Sequence, residues 1–125
     1  MGYVNATIAL SNPRRPELAP LSVSARADSG SLMLCIPAHL AAALRLEQEC
    51  LPEVSVADGR RLQVPHVGPL RVDFHARCCL VGALVLGDEV LIGAVPMEDM
   101  DLVVNPALQR LDADPRSPHL PHARV

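Results

Sequence analysis

The sequence predicts an all-β fold, a closed β-barrel or sandwich with one short helix, on three observations. Apolar residues recur at a period of two, most clearly at Leu21, Val23, Ala25 and Ala27, which marks a strand with one buried face. Turn signals built on Gly, Pro, Asn and Asp interrupt such segments roughly every 8–12 residues, the rhythm of barrels and sandwiches. Only one stretch, 38–44, is rich in strong helix formers. At 125 residues the chain makes one domain, expected over 1–113, with a loosely ordered tail at 114–125.

Residues 2–10 mix β-branched and small side chains and read as a first strand. A polar loop, Ser11-Asn12-Pro13-Arg14-Arg15-Pro16, separates it from the alternating strand at 19–27. Residues 32–36 are expected as a short buried strand. Pro37 suits the start of a helix over 38–44, with Leu40 and Leu44 on one face. Val54-Ser55-Val56 and Leu62-Gln63-Val64 flank Ala57-Asp58-Gly59-Arg60, a hairpin signal. Pairing Val56 with Leu62 and Val54 with Val64 calls for an odd-length, bulged turn. Gly68-Pro69 opens the next arm, in which Leu70, Val72 and Phe74 alternate with Arg71, Asp73 and His75. The apolar run 78–86 suits the centre of a sheet. Gly87-Asp88-Glu89 then turns into Val90-Leu91-Ile92. A helical turn is expected at 96–100, and closing strands at 102–104 and 108–111.

Composition narrows the function. One Phe, one Tyr and no Trp leave the core to Leu, Val, Ala and Ile. Eleven basic against fourteen acidic residues give a net charge of -3, and with so few rings this argues against nucleic-acid binding. The longest uncharged apolar run, 78–87, is ten residues, too short for a membrane span. The first residues lack a signal-peptide pattern, so a cytoplasmic location is expected. Four cysteines (35, 50, 78, 79) lack Cys-x-x-Cys spacing and read as free thiols. The five histidines are scattered, and Glu98, Asp99 and Asp101 read as a solvated helix start. No metal site, serine triad or cofactor is expected.

Asp28-Ser29-Gly30, delivered by an alternating strand and followed later by Leu91-Ile92-Gly93, resembles the pattern of the retropepsin-like aspartic proteases, in particular the short bacterial proteins of the same clan AA. The likeness takes in Asn12-Pro13-Arg14-Arg15, Ile36-Pro37, Ala57-Asp58-Gly59-Arg60, Val67-Gly68-Pro69 and Pro96-Met97-Glu98-Asp99-Met100-Asp101-Leu102. The resemblance implies an aspartic endopeptidase acting on a peptide or protein substrate. It implies that Asp28 is the catalytic carboxylate, that Ser29 and Gly30 support it, and that Leu91, Ile92 and Gly93 pack beneath its loop. The hairpin at Ala57, Asp58, Gly59 and Arg60 would be a flap over the substrate groove.

Carboxylate-driven hydrolysis needs one ionised group to deprotonate water and one protonated group to donate to the carbonyl oxygen. Two carboxyls about 3 Å apart share a proton and titrate as a pair. This chain has one Asp-Ser-Gly, so the resemblance implies a homodimer that brings Asp28 beside its symmetry mate. Ser29 stands where Thr is commoner and Ser31 where Ala is frequent. Arg26, where the family has an aliphatic residue, lies by alternation on the side of Asp28. A guanidinium within roughly 4–6 Å favours the ionised carboxylate. Arg26 therefore either prefers an acidic substrate side chain from within the groove or weakens activity. The alternative function is a non-catalytic dimer of the same fold that binds a peptide or protein partner.

Overall fold

A computed structural model describes residues 3–122. Tyr3–Ser11 (β1) and Leu21–Asp28 (β2) pair antiparallel, from Tyr3 opposite Asp28 to Leu10 opposite Leu21. Even-numbered residues of β1 and odd-numbered residues of β2 turn inward: Val4, Ile8, Leu10, Ala25 and Ala27 are all buried. Asn12 follows β1 and is itself buried. Its amide donates to the carbonyls of Leu44 (2.8 Å) and Arg45 (3.3 Å), and its Oδ1 accepts the Arg14 N–H. Those carbonyls lie just past the end of the first helix, where the helix supplies no donors of its own.

Leu34–Ile36 (β3) is buried throughout, and Ala38–Ala43 (α1) begins directly after Pro37. The helix is one residue shorter than expected. Leu44 nevertheless packs into the core with Leu40 against it, because Arg45 turns left-handed (φ 51°) only after Leu44 is in place.

Glu47–Cys50 (β4) was not expected as a strand. Its four residues are all exposed, so it carries none of the apolar alternation that reveals a strand in sequence. Glu53–Ser55 (β5) and Arg61–Gln63 (β6) form the hairpin. The expected register is corrected: Val54 faces Leu62 and Ser55 faces Arg61. Val56 N–H bonds to Arg60 O (2.9 Å), leaving a three-residue turn in which Gly59 holds φ at 89°. That odd-length turn with a left-handed glycine is the bulged type.

His66–Phe74 (β7) and Arg77–Val85 (β8) pair antiparallel. β7 starts before Gly68-Pro69 rather than after it. The pair sits, with a cis peptide bond, where the register shifts between Val67 and Leu70. β8 is central in order, yet Cys78 and Leu80 face outward and are exposed. Val90–Ile92 (β9), Ala94–Asp99 (α2), Leu102–Asn105 (β10) and Arg110–Ala113 (β11) complete the elements.

The strands run β1-β2-β9-β3-β8-β7, and β7 returns to β1 through Leu10 opposite Val72. A six-stranded barrel is thereby closed, with β4 added outside β7. β10 and β11 do not close it. They pair only with each other and lie against β1, sending Leu102 and Leu111 inward. Inside the barrel Leu10, Leu34, Ile36, Leu70, Val72 and Ile92 are fully buried, an aliphatic core in which Phe74 is the one buried aromatic side chain among the described residues.

Beyond β11, Asp114 N–H bonds to Asp101 O (2.8 Å). The buried Arg77 guanidinium donates to the carbonyls of Met100 (2.9 Å), Asp101 (3.1 Å) and Ser117. Residues 114–117 are thus pinned at one end of the barrel. No helix among the described residues is long and apolar enough to cross a membrane.

Candidate functional site

β9 lies between β2 and β3, parallel to one and antiparallel to the other. The chain leaving β2 at Asp28 must therefore cross the end of β9 before it can enter β3. That crossing is residues 29–33, and it is tightly held. Ala94 N–H bonds to Ser31 O and Val95 N–H to Leu32 O, both at 2.8 Å. Gly93 is pressed so close that a Cβ there would sit 2.5 Å from the Leu32 carbonyl carbon and 2.6 Å from Met33 N. Only glycine fits without moving backbone.

Within the loop, the Asp28 Oδ1 accepts the Gly30 N–H at 2.9 Å, and Asp28 O accepts the Ser31 N–H at 3.1 Å. The carboxylate is fixed by its own turn. A Cβ on residue 30 would approach Asp28 Oδ1 to 3.2 Å, so Gly30 also leaves the carboxylate room. Asp28 is half-buried, whereas Ser29 and Gly30 are exposed at the loop's outer side.

Asp28 lies on the wall of a cleft of about 560 Å³. The β5–β6 hairpin forms the opposite side through Val54, Ser55, Val56 and Ala57, and Leu84, Leu86 and Leu91 line the apolar remainder. Beneath the hairpin, Cys35, Val64 and Leu84 are buried in an apolar cluster of their own, with Met33, Val54, Leu62, Leu86 and Leu91 packed against it. Asp58, Gly59 and Arg60 sit at the exposed hairpin tip, beyond the residues that line the cleft. Asp58 there accepts Arg60 N–H (3.0 Å) and Nε–H (2.7 Å), which stiffens the turn.

Arg26 does not line this cleft. It opens onto a neighbouring one of about 490 Å³, with Asp88 and Glu89. Its Nε lies 3.1 Å from Glu89 Oε1, each side chain about half exposed. Asp28, Cys35, Leu86 and Leu91 border both clefts, so the carboxylate stands where the two meet.

The structure brings Asp28, Gly30, Leu91, Gly93, Ala57 and Arg26 into one region. Ile92 points the other way, into the barrel. Glu89, Leu86 and Cys35 belong to the site and were not anticipated. Cys35 had a signal, since alternation along β3 turns it away from the buried Leu34 and Ile36. Burial raises its thiol pKa. Among the described residues no three His, Cys, Asp or Glu side chains gather as metal ligands. No family model, curated protein or solved structure matches the chain.

Proposed function

We propose that the chain is an aspartic endopeptidase of retropepsin type, active as a homodimer in which each copy supplies Asp28 to a water-activating pair. The observation that carries this reading is the position of Asp28. A carboxylate held by its own turn, over a β9 strand threaded between β2 and β3, borders a peptide-sized cleft roofed by a hairpin.

Each part has a chemical task. The Gly30 N–H leaves the second carboxyl oxygen, Oδ2, available for water or for the partner carboxyl. Two Asp28 groups meeting across a twofold axis share one proton. One then takes a proton from water while the other donates to the scissile carbonyl. The apolar walls exclude bulk water from the peptide. The hairpin, joined to the barrel by a small and partly exposed cluster, is suited to lift for substrate entry.

The second reading, a non-catalytic dimer that binds peptides, draws on Arg26 at the edge of the same site. Assay of the purified chain on a peptide library from about pH 3 to pH 7 separates the two. Cleavage should fall about a thousandfold or more in Asp28→Asn, stop with a statine-type inhibitor, and track the dimer in sedimentation. A chain that sediments as a dimer and binds peptides without cleaving them is the binding module.

A further inference from the structure

The two clefts that meet at Asp28 differ in chemistry. The one under the hairpin is walled by Val54, Val56, Leu84, Leu86 and Leu91, while the other carries Arg26, Asp88 and Glu89. We propose that the second compartment selects a substrate with a basic side chain, Lys or Arg, beside the cleaved bond, while the first takes an apolar one. This rests on the endopeptidase reading above and specifies its substrate class.

Charge bookkeeping sets the sign. Arg26 taken alone favours an acidic side chain. Its pairing with Glu89 at 3.1 Å removes that preference, because the guanidinium already has its counter-charge. Asp88 has neither a hydrogen bond nor an ion pair among the described residues, and it borders the same compartment. With Asp28 also on its border, the compartment is lined by three carboxyl groups and one guanidinium.

An acidic substrate side chain would have to displace Glu89 and then sit among like charges. An apolar one would desolvate the Arg26–Glu89 pair and replace none of its hydration. A Lys or Arg side chain instead lays its methylene stem on Leu86 and Leu91 and carries its charge out to Asp88 and Glu89. In an isologous dimer the compartment is repeated, so the preference applies on either side of the bond.

The test is a peptide library with one randomised position next to an apolar residue, digested by the wild-type chain and read by mass spectrometry. Lys and Arg should be preferred over Asp and Glu by about five- to tenfold, the scale of one or two half-exposed ion pairs. The preference should shrink at high salt and vanish in the double variant Asp88→Asn/Glu89→Gln. Affinity of the same peptides for Asp28→Asn reads the preference independently of the chemistry. Cleavage or binding with no basic preference, or with an acidic one, overturns this inference and leaves the endopeptidase reading standing. Neither cleavage nor binding of any peptide overturns both.

Discussion

The barrel interior and the apolar cluster beneath the β5–β6 hairpin use the same residue types to different depths. The main core gathers twenty buried side chains among the described residues, from all six barrel strands and from Leu44, α2 with its cap Met100, β10 and β11 packed against them. The hairpin cluster has three, Cys35, Val64 and Leu84, with five more half-buried around them. Both arise from one alternation. Along β3 and β8, Leu34, Ile36 and Ala83 point into the barrel, while Cys35 and Leu84 point out beneath the hairpin. Apolar burial contributes in proportion to the area removed from water, so the barrel carries the stability and the hairpin is held weakly. The site sits on that boundary. Asp28 is anchored on the strong side, and the cleft's roof belongs to the weak side.

Paired truncations test this division most directly. Ile92 is fully buried inside the barrel, and Ile92→Ala should cost about 3–4 kcal/mol in urea unfolding, through lost transfer energy and a cavity the closed sheet cannot collapse. Leu62 is half-buried in the hairpin, and Leu62→Ala should cost about 1 kcal/mol or less. Equal costs would mean that the hairpin is part of the main cooperative unit.

Buried thiols probe the same contrast without removing any packing. Cys79 lies in the barrel and Cys35 in the hairpin cluster, each 7% exposed. Burial raises both pKa values, Cys79 to about 12, so neither reacts while closed. If the hairpin lifts while the barrel stays folded, Cys35 needs only local opening and Cys79 needs global unfolding. An opening difference of about 2–3 kcal/mol makes Cys35 roughly a hundredfold faster to label with a thiol reagent. Its rate should also rise less steeply with urea. The exposed Cys50 and Cys78 label at once and must be replaced or blocked first. Matching rates for Cys35 and Cys79 would remove the lifting hairpin from the proposed mechanism.

This boundary explains which parts of the molecule could be seen in the sequence. The barrel strands announced themselves because one face of each is buried: Ala25 and Ala27, or Leu70, Val72 and Phe74, leave a period-two trace. Asp28-Ser29-Gly30 and Gly93 were visible because a tight crossing admits few residue types. Glu47–Cys50 was invisible, since an edge strand exposed on both faces leaves no apolar trace. The hairpin turn type was readable from Asp58-Gly59, but its register depended on the backbone bond from Val56 N–H to Arg60 O, which carries no sequence mark. Glu89 as the partner of Arg26 was likewise hidden. The two meet because β9 lies parallel to β2, with Arg26 opposite Leu91, and that pairing comes from the topology rather than from either segment.

The smallest expected effect lies at the end of the barrel where residues 114–117 are pinned. Asp114 accepts hydrogen bonds from the Arg116 side chain and backbone, with Arg77 adding a favourable charge, and its pKa falls from 3.8 to about 2. A carboxylate whose folded pKa is depressed stabilises the fold above its ordinary value and loses that contribution as pH falls through the folded value. Acid unfolding should therefore carry an Asp114 component between about pH 4 and pH 2. Asp114→Asn should flatten that part of the stability profile and change stability near neutral pH only slightly, because Arg116 is largely solvent-exposed and screened. The substitution should leave the labelling contrast between Cys35 and Cys79 intact, since Asp114 bonds to Asp101, Arg116 and Ser117 and to nothing in the hairpin cluster. A shift in Cys35 labelling at neutral pH would instead show that the pinned end and the hairpin open together, and the two regions would then have to be treated as one.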